Sequence, residues 1–160
     1  MRIALLALAL AACTTNNTTV GDDAPGGAPQ AGLWHYSEIN QVSSNCPNDV
    51  AQFEEGNFVI DQVSLASFRI VPADNTPPFP CSLGGSSFNC PDRFVETIDE
   101  RPSIDAVFTI HATADGTFQS VTLGSGGQEA TVDCAGSACA LTGFPFPCRF
   151  SVDFVIAAGG

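Results

Sequence analysis

The chain has 160 residues, with seventeen acidic residues against five basic ones, all arginine, and a formal net charge of −12. A chain so poor in basic residues cannot neutralise phosphates, so the composition excludes a nucleic-acid partner and docking on anionic lipid headgroups. Its length and its twelve phenylalanines are sufficient for one domain with a real hydrophobic core.

The N-terminal residues MRIALLALALAAC have the pattern of an export signal. The apolar run 3–12 is ten residues long, shorter than the ~20 that a membrane-spanning helix needs. The four residues Leu10-Ala11-Ala12-Cys13 resemble the lipobox of bacterial lipoproteins. This resemblance implies that the signal peptide 1–12 is removed and that Cys13 is acylated. The protein is then expected in the bacterial cell envelope, attached to a membrane by lipid, on the outer membrane or cell surface of a Gram-negative cell.

The segment 13–31 begins with that cysteine and continues TTNNTTVGDDAPGGAPQA. It contains almost no aliphatic residues, so it cannot bury enough apolar surface to offset the entropy of ordering. The composition predicts a flexible tether followed by one domain, 32–160. Without Arg2 the chain has four arginines and seventeen acids, a formal net charge of −13.

Period-two alternation of apolar and polar residues predicts strands along most of this domain. The predicted strands are 33–42, 57–63, 67–71, a hairpin within 106–123, 129–134 and 149–157. One short helix is predicted at 47–55, because Pro47 suits a first turn and Gly56 suits the end. Many short strands separated by Gly, Pro, Asn and Asp predict an all-β fold. We expect a small antiparallel barrel or sandwich of about eight strands, stapled by disulfides.

The clearest hairpin signal is Asp115-Gly116, a strong two-residue turn pair. A turn there pairs Ile110 with Val121 and places His111 opposite Ser120 on the polar face.

Six cysteines follow the lipobox: Cys46, Cys81, Cys90, Cys134, Cys139 and Cys148. An even number in an exported chain predicts three disulfides. A zinc site normally has paired short spacings such as C-x₂-C, and this sequence has none, so no metal is predicted.

Two segments, CSLGGSSFNC (81–90) and CALTGFPFPC (139–148), share the pattern C-x-L-x-G-x-x-F-x-C. The repeat favours two closed rings. In the first ring, Gly85-Ser86 suits a type II′ turn that sets Cys81 opposite Cys90 and Leu83 opposite Phe88. The second contains two prolines, which cannot donate to a ladder, so a rigid loop is expected there.

Ring closure leaves Cys46 to pair with Cys134. The alternative pairing is Cys134–Cys139 with Cys46–Cys148. It has its own logic, because in a closed antiparallel barrel the end of the first strand meets the start of the last.

Aromatic residues are the candidate binding groups. Rigid loops that display Phe79, Phe144 or Phe146 can form a recognition surface with little loss of entropy on binding. The alternative for these side chains is a hydrophobic plug over one end of the barrel. Gly32-Leu33-Trp34 is similar to the G-x-W opening of lipocalins, which are eight-stranded ligand barrels. This resemblance implies a small apolar ligand. The alternative role for Trp34 is that of a core or barrel-end anchor.

No catalytic constellation is predicted. The chain lacks the G-x-S-x-G, H-E-x-x-H and P-loop patterns, and we interpret His111 as an exposed strand residue rather than the base of a Ser120 nucleophile. The acids of ETIDERPSID are expected in a solvated loop rather than a calcium site. They are Glu96, Asp99, Glu100 and Asp105. No cofactor is predicted.

The sequence therefore predicts a non-catalytic binding or protein-interaction domain held in the envelope by lipid. Its plan of lipobox, tether and small disulfide-bearing β domain is similar to that of bacterial lysozyme-inhibitor lipoproteins. That resemblance, with the acidity, implies a basic protein partner such as a lysozyme. The alternatives are a lipocalin-like binder of a small apolar ligand, a structural envelope lipoprotein and a small hydrolase.

Overall fold

The structure of the protein is a computed structural model that describes residues 27–46, 53–74 and 76–159. Within these residues the chain forms eight strands and one short 3₁₀ helix. They are β1 (Gly32–Ser44), β2 (Glu55–Asp61), β3 (Ser67–Pro72), β4 (Phe79–Gly84), β5 (Ser87–Asp99), β6 (Val107–Ser120), β7 (Leu123–Ala135), the 3₁₀ helix Ser137–Leu141 and β8 (Cys148–Ala158). None of the described helices is long and apolar enough to cross a membrane.

Each strand pairs antiparallel with its neighbours in sequence, and β1 also pairs with β8, which closes the sheet into a barrel. Alternation along each strand decides which side chains face the interior. In β8 the buried residues are Phe150, Val152, Phe154 and Ile156, while the residues between them are not buried. The prediction of an all-β antiparallel fold of about eight strands with disulfides is confirmed. Because closure through β1 and β8 leaves one continuous sheet, the fold is a barrel rather than a sandwich.

The eight strands differ in length in a way that matters for the interior. Strands β2, β3 and β4 have seven, six and six residues, whereas β1 and β5–β8 have between eleven and fourteen. One wall of the barrel is therefore about twice as tall as the other. We call the end with the β2–β3, β4–β5 and β6–β7 turns the closed end, and the opposite end the open end.

Aromatic side chains fill the closed end. Trp34 is fully buried, and its ring packs edge-on against Phe118 with centroids 5.8 Å apart. Phe118 also contacts Phe68 at 5.5 Å and Phe88 at 5.0 Å. Rings in such edge-to-face and tilted contacts gain energy beyond their area burial.

The end of the predicted tether is joined to this end of the barrel. Pro29 is buried, the N–H of Gln30 donates to the Val121 carbonyl at 2.7 Å, and Trp34 Nε1 donates to the Gln30 carbonyl at 2.9 Å. Residues 1–26 lie outside the described part of the chain, and with them the signal peptide, Cys13 and most of the tether. The predicted helix 47–55 also falls mainly outside it, at residues 47–52, and Glu55 begins β2.

The hairpin predicted at Asp115-Gly116 is wrong. Strand β6 runs straight through this pair, and the chain turns instead at Val121-Thr122. Gly116 lies opposite Gly126 of β7, where a Cβ at Gly116 would collide with the Ser125 carbonyl oxygen. The glycine is therefore needed for close approach of two strands rather than for a turn.

The predicted pairing of Ile110 with Val121 fails for the same reason, since Ile110 pairs with Val132. His111 pairs with Thr131 and does not face Ser120, which pairs with Leu123.

The first cysteine ring is confirmed. Cys81 and Cys90 form a disulfide with their Cα atoms 4.2 Å apart, and Leu83 pairs with Phe88. Gly85 has φ of +66°, the left-handed conformation that the first position of a II′ turn requires.

The predicted second ring, Cys139–Cys148, is wrong, and so is the pairing Cys46–Cys134 that would follow from it. The alternative pairing is the one observed. Cys148 starts β8 fully buried, next to the end of β1, and bonds Cys46. The 3₁₀ helix turns the chain so that Cys139 returns to Cys134. The predicted loop character of this segment is confirmed, because residues 142–147 contain no strand.

Candidate functional site

A cavity of about 590 Å³ occupies the interior of the barrel between the closed end and the open end. Its walls are mostly apolar, and the phenylalanines of the short strands and of β5 and β8 form much of its surface. These are Phe58, Phe68, Phe79, Phe88, Phe150 and Phe154. On the tall wall, β6 and β7 contribute small side chains instead, namely Ala112, Ala114 and Ala130. Because β2–β4 are short and these alanines are small, the interior is left unfilled at this level.

Polar groups of β1 line the same cavity. Alternation from buried Trp34 directs Tyr36 and Glu38 inward. The Tyr36 hydroxyl donates to Glu38 Oε1 at 2.9 Å, and the backbone N–H of Glu54 donates to Glu38 Oε2 at 3.0 Å. Both carboxylate oxygens of Glu38 are thus bound by the protein itself.

Burial changes the titration of this pair. Desolvation raises the pKa of Tyr36 far above its ordinary value, and the neighbouring charge of Glu38 raises it further. Desolvation also raises the pKa of Glu38, although the hydrogen bond from the Glu54 backbone opposes this shift. Tyr36 therefore stays neutral and acts as a fixed hydrogen-bond donor to Glu38.

Arg93 of β5 lies opposite this pair on the cavity wall. Its guanidinium carbon sits 4.4 Å from the centre of the Phe79 ring, a cation–π contact. Burial lowers the pKa of Arg93, while the negative charges of Asp74 and Glu54 act in the opposite direction. Arg93 remains charged at neutral pH because the unperturbed pKa of arginine is above 12.

A β-bulge places Arg93 inside the barrel. Cys90 pairs with Ala114 and Arg93 with Ala112, so two residues of β5 stand opposite the single Thr113 of β6. Without that extra residue, alternation from Cys90 would direct Arg93 outward. The sequence prediction therefore missed Arg93, whereas the inward position of Tyr36 and Glu38 follows from simple alternation along β1.

The four predicted aromatic residues lie in four different environments. Trp34 is in the floor at the closed end, with no exposed surface, and Phe79 lines the cavity beneath Arg93. Phe146 packs against Phe108, with ring centroids 5.8 Å apart, beside the smaller core cluster near the open end. Phe144 is 44% exposed on the β7–β8 loop.

The histidines are on the outside of the barrel. His111 Nδ1 lies 3.2 Å from Asp92 Oδ2, and its ring meets Phe94 edge-on. His35 Nδ1 is 2.9 Å from the side-chain oxygen of Asn57. Neither contact includes a hydroxyl nucleophile, and His111 is separated from Ser120 by more than half of β6.

The expectation that the acids of the 96–105 segment lie in a loop is wrong for Glu96 and Asp99, which belong to β5, and two of the acids have separate local partners. Arg101 binds Asp99 through two nitrogens and holds the pKa of that carboxyl at about 2, while Ser137 donates to Asp105 and lowers its pKa. Glu96 belongs to β5 and lines the cavity. Among the described residues, no three Cys, His, Asp or Glu side chains are placed to hold a metal ion.

No protein-family model matches the chain, and comparison with curated proteins and with solved structures gives no significant match.

Proposed function

We propose that this protein is a lipid-anchored protein of the bacterial envelope that binds a small apolar molecule in the cavity of its barrel. One observation carries the proposal: the interior holds a cavity of about 590 Å³ lined mainly by phenylalanine, isoleucine and alanine. Ligand sites in proteins are typically cavities of about 300–1,000 Å³ with apolar walls and a few polar groups. This cavity has that size and that character.

The way in which the interior is filled supports a ligand site. Protein interiors are close-packed, and natural cores contain few voids larger than a water molecule. In this barrel the closed end follows that rule, because Phe118 contacts both Trp34 and Phe68. Small side chains at Ala112 and Ala114 leave a cavity at the adjacent level. A cavity of ligand size next to a well-packed core supports a ligand site.

The loops of the open end favour a second candidate function, binding of a basic protein. Leu141 is 85% exposed and Phe144 is 44% exposed on the β7–β8 loop, in a strongly acidic chain. Inhibition of a lysozyme that persists at physiological salt and weakens in Phe144→Ala would support this function. Exposed acidic groups alone would give binding that salt abolishes.

The ligand-binding proposal is tested with N-phenylnaphthylamine, a neutral dye that fluoresces in apolar surroundings. The chain from Thr14 to Gly160, exported without the lipobox, contains every described residue. We expect saturable binding to this chain and a loss of affinity of at least about tenfold in Ala114→Phe, because the new ring occupies the cavity.

Thr131→Phe is the matched control. Thr131 lies between buried Ala130 and Val132 on β7, so its side chain faces outward and the substitution adds the same ring outside the barrel. Dye binding that is equal in both variants, or absent from the unsubstituted chain, would contradict the proposal.

A further inference from the structure

Arg93 differs from the other arginines of the described residues in lacking a carboxylate partner. Arg69 pairs with Asp61, Arg101 with Asp99 and Arg149 with Glu129. Within the part of the chain that the structure describes, Arg93 forms no salt bridge, and its one specific contact is with the face of the Phe79 ring. The guanidinium N–H groups donate within the plane of the group, and the face of an aromatic ring accepts no conventional hydrogen bond there. The guanidinium N–H groups of Arg93 are therefore left free on the cavity wall.

The carboxylates whose charges act on Arg93 are those of Asp74 and Glu54. Asp74 accepts from the N–H and the hydroxyl of Thr76, and among the described residues neither carboxylate forms a salt bridge with Arg93. The donors of Arg93 therefore remain available to an oxygen acceptor that enters the cavity.

The charges around the cavity decide which kind of oxygen this is. Five carboxylates line it, against the single positive charge of Arg93. They are Glu38, Glu54, Glu55, Asp74 and Glu96. An anionic head group would gain one attractive partner and meet several like charges in a partly desolvated space. An uncharged carbonyl or hydroxyl oxygen accepts from the same guanidinium without this repulsion.

Resting on the proposed ligand-binding function, we infer that the ligand is an uncharged apolar molecule with an oxygen acceptor at one end, and that Arg93 binds this oxygen. Long-chain alcohols, esters and amides belong to this class, and fatty-acid anions do not. Phe79 holds the guanidinium in position from one side, and the apolar body of the ligand occupies the space lined by the alanines of β6 and β7.

The first test compares two ligands of equal chain length, dodecanol and dodecanoate, as competitors of N-phenylnaphthylamine at neutral pH. We expect dodecanol to bind at least about tenfold more tightly. Equal or tighter binding of dodecanoate by the unsubstituted chain would overturn the inference, and this result needs no variant. Because the dye has no oxygen acceptor, its own binding tests the cavity separately, and failure of the dye to bind would remove the proposed function itself.

The second test uses Arg93→Met, which keeps an unbranched apolar stem and removes the donors. We expect dodecanol affinity to fall about tenfold more than dye affinity, because only dodecanol accepts a hydrogen bond from Arg93. Arg69→Met is the matched control, since Arg69 lies on the outer face and pairs with Asp61. Unchanged dodecanol affinity in a folded Arg93→Met would contradict the role of Arg93.

The double substitution Glu54→Gln with Asp74→Asn tests whether the carboxylates at the cavity select an uncharged ligand. Both side chains are exposed at the cavity mouth, so folding should be preserved. We expect dodecanoate to bind about threefold to tenfold more tightly and dodecanol to change little, because only the anion is repelled by these carboxylates. A parallel gain for both ligands would show that charge does not select the ligand.

Discussion

At the closed end of the barrel, large aromatic side chains from several strands meet and leave no space, whereas toward the open end the same strands surround a cavity. Trp34 and Phe118 fill the first region, and Ala112 and Ala114 line the second. The sheet is continuous through both. A closed barrel therefore provides a ligand cavity where its inward residues become small and one wall becomes short.

The repeated cysteine pattern also forms different disulfides at the two ends. At the closed end, Gly85 turns the chain so tightly that Cys81 and Cys90 meet across a hairpin. At the open end, the similar segment 139–148 contributes one cysteine to a neighbouring turn and the other to the closure of the barrel between β1 and β8. The same local pattern gives different bonds because Cys81 and Cys90 lie opposite each other on paired strands, whereas Cys139 lies in the 3₁₀ helix between β7 and β8.

Removing disulfides from the two ends should give the largest contrast. Cys46 and Cys148 are separated by 102 residues, and Cys81 and Cys90 by nine. In the chain-entropy model, Cys46→Ser with Cys148→Ser should lower the free energy of unfolding by about 5 kcal/mol, and Cys81→Ser with Cys90→Ser by about 3 kcal/mol. Urea titration of both variants measures the difference. A larger loss for the short ring would mean that native packing, not chain entropy, dominates.

The next largest contrast is expected in the free energy of unfolding when large aromatic side chains are removed from the two ends. Trp34→Ala removes a fully buried ring and should cost about 3–5 kcal/mol. Phe146→Ala removes a partly exposed ring near the open end and should cost about 1–2 kcal/mol. Leu33→Ala is the control, because Leu33 is 45% exposed next to Trp34. Equal losses of unfolding free energy in Trp34→Ala and Phe146→Ala would contradict the difference in packing between the closed end and the open end.

A smaller effect should be found at Glu38, between the two ends. Burial raises the pKa of Glu38, so the folded state favours its protonated form. The cost of ionising this carboxyl is absent at low pH and appears as the pH rises from about 4.5 through the raised pKa. The stability of Glu38→Gln relative to the unsubstituted chain should therefore increase from acid to neutral pH. A constant difference over this range would contradict a buried, ionising Glu38.

The smallest effect concerns the exposed loop of the open end. Arg101 and its backbone N–H hold the pKa of Asp99 at about 2, below the ordinary 3.8. In Arg101→Ala the backbone N–H still donates, so the pKa of Asp99 should rise but remain below 3.8. Carboxyl chemical shifts followed by NMR measure this value. An unchanged pKa would mean that the side-chain ion pair is not formed in solution.

Much of the fold could be predicted because it depends on local patterns. Alternation located most strands, and Gly85 located the first hairpin together with its disulfide. The Asp115-Gly116 signal failed because a close approach between two strands also requires glycine, and a single sequence does not distinguish the two causes. Of the predicted binding residues, only Phe79 lines the cavity. The inward side of β1 could be predicted from alternation, but the bulge that directs Arg93 inward depends on pairing between β5 and β6.

NMR mapping of dodecanol on the chain from Thr14 to Gly160 tests the cavity as a ligand site most directly. We predict that the largest chemical-shift changes occur at inward residues around the cavity, such as Ile70, Arg93 and Ala114, with little change at outward Thr131. Changes confined to the β7–β8 loop, around Leu141 and Phe144, would contradict this account and indicate a surface interaction instead.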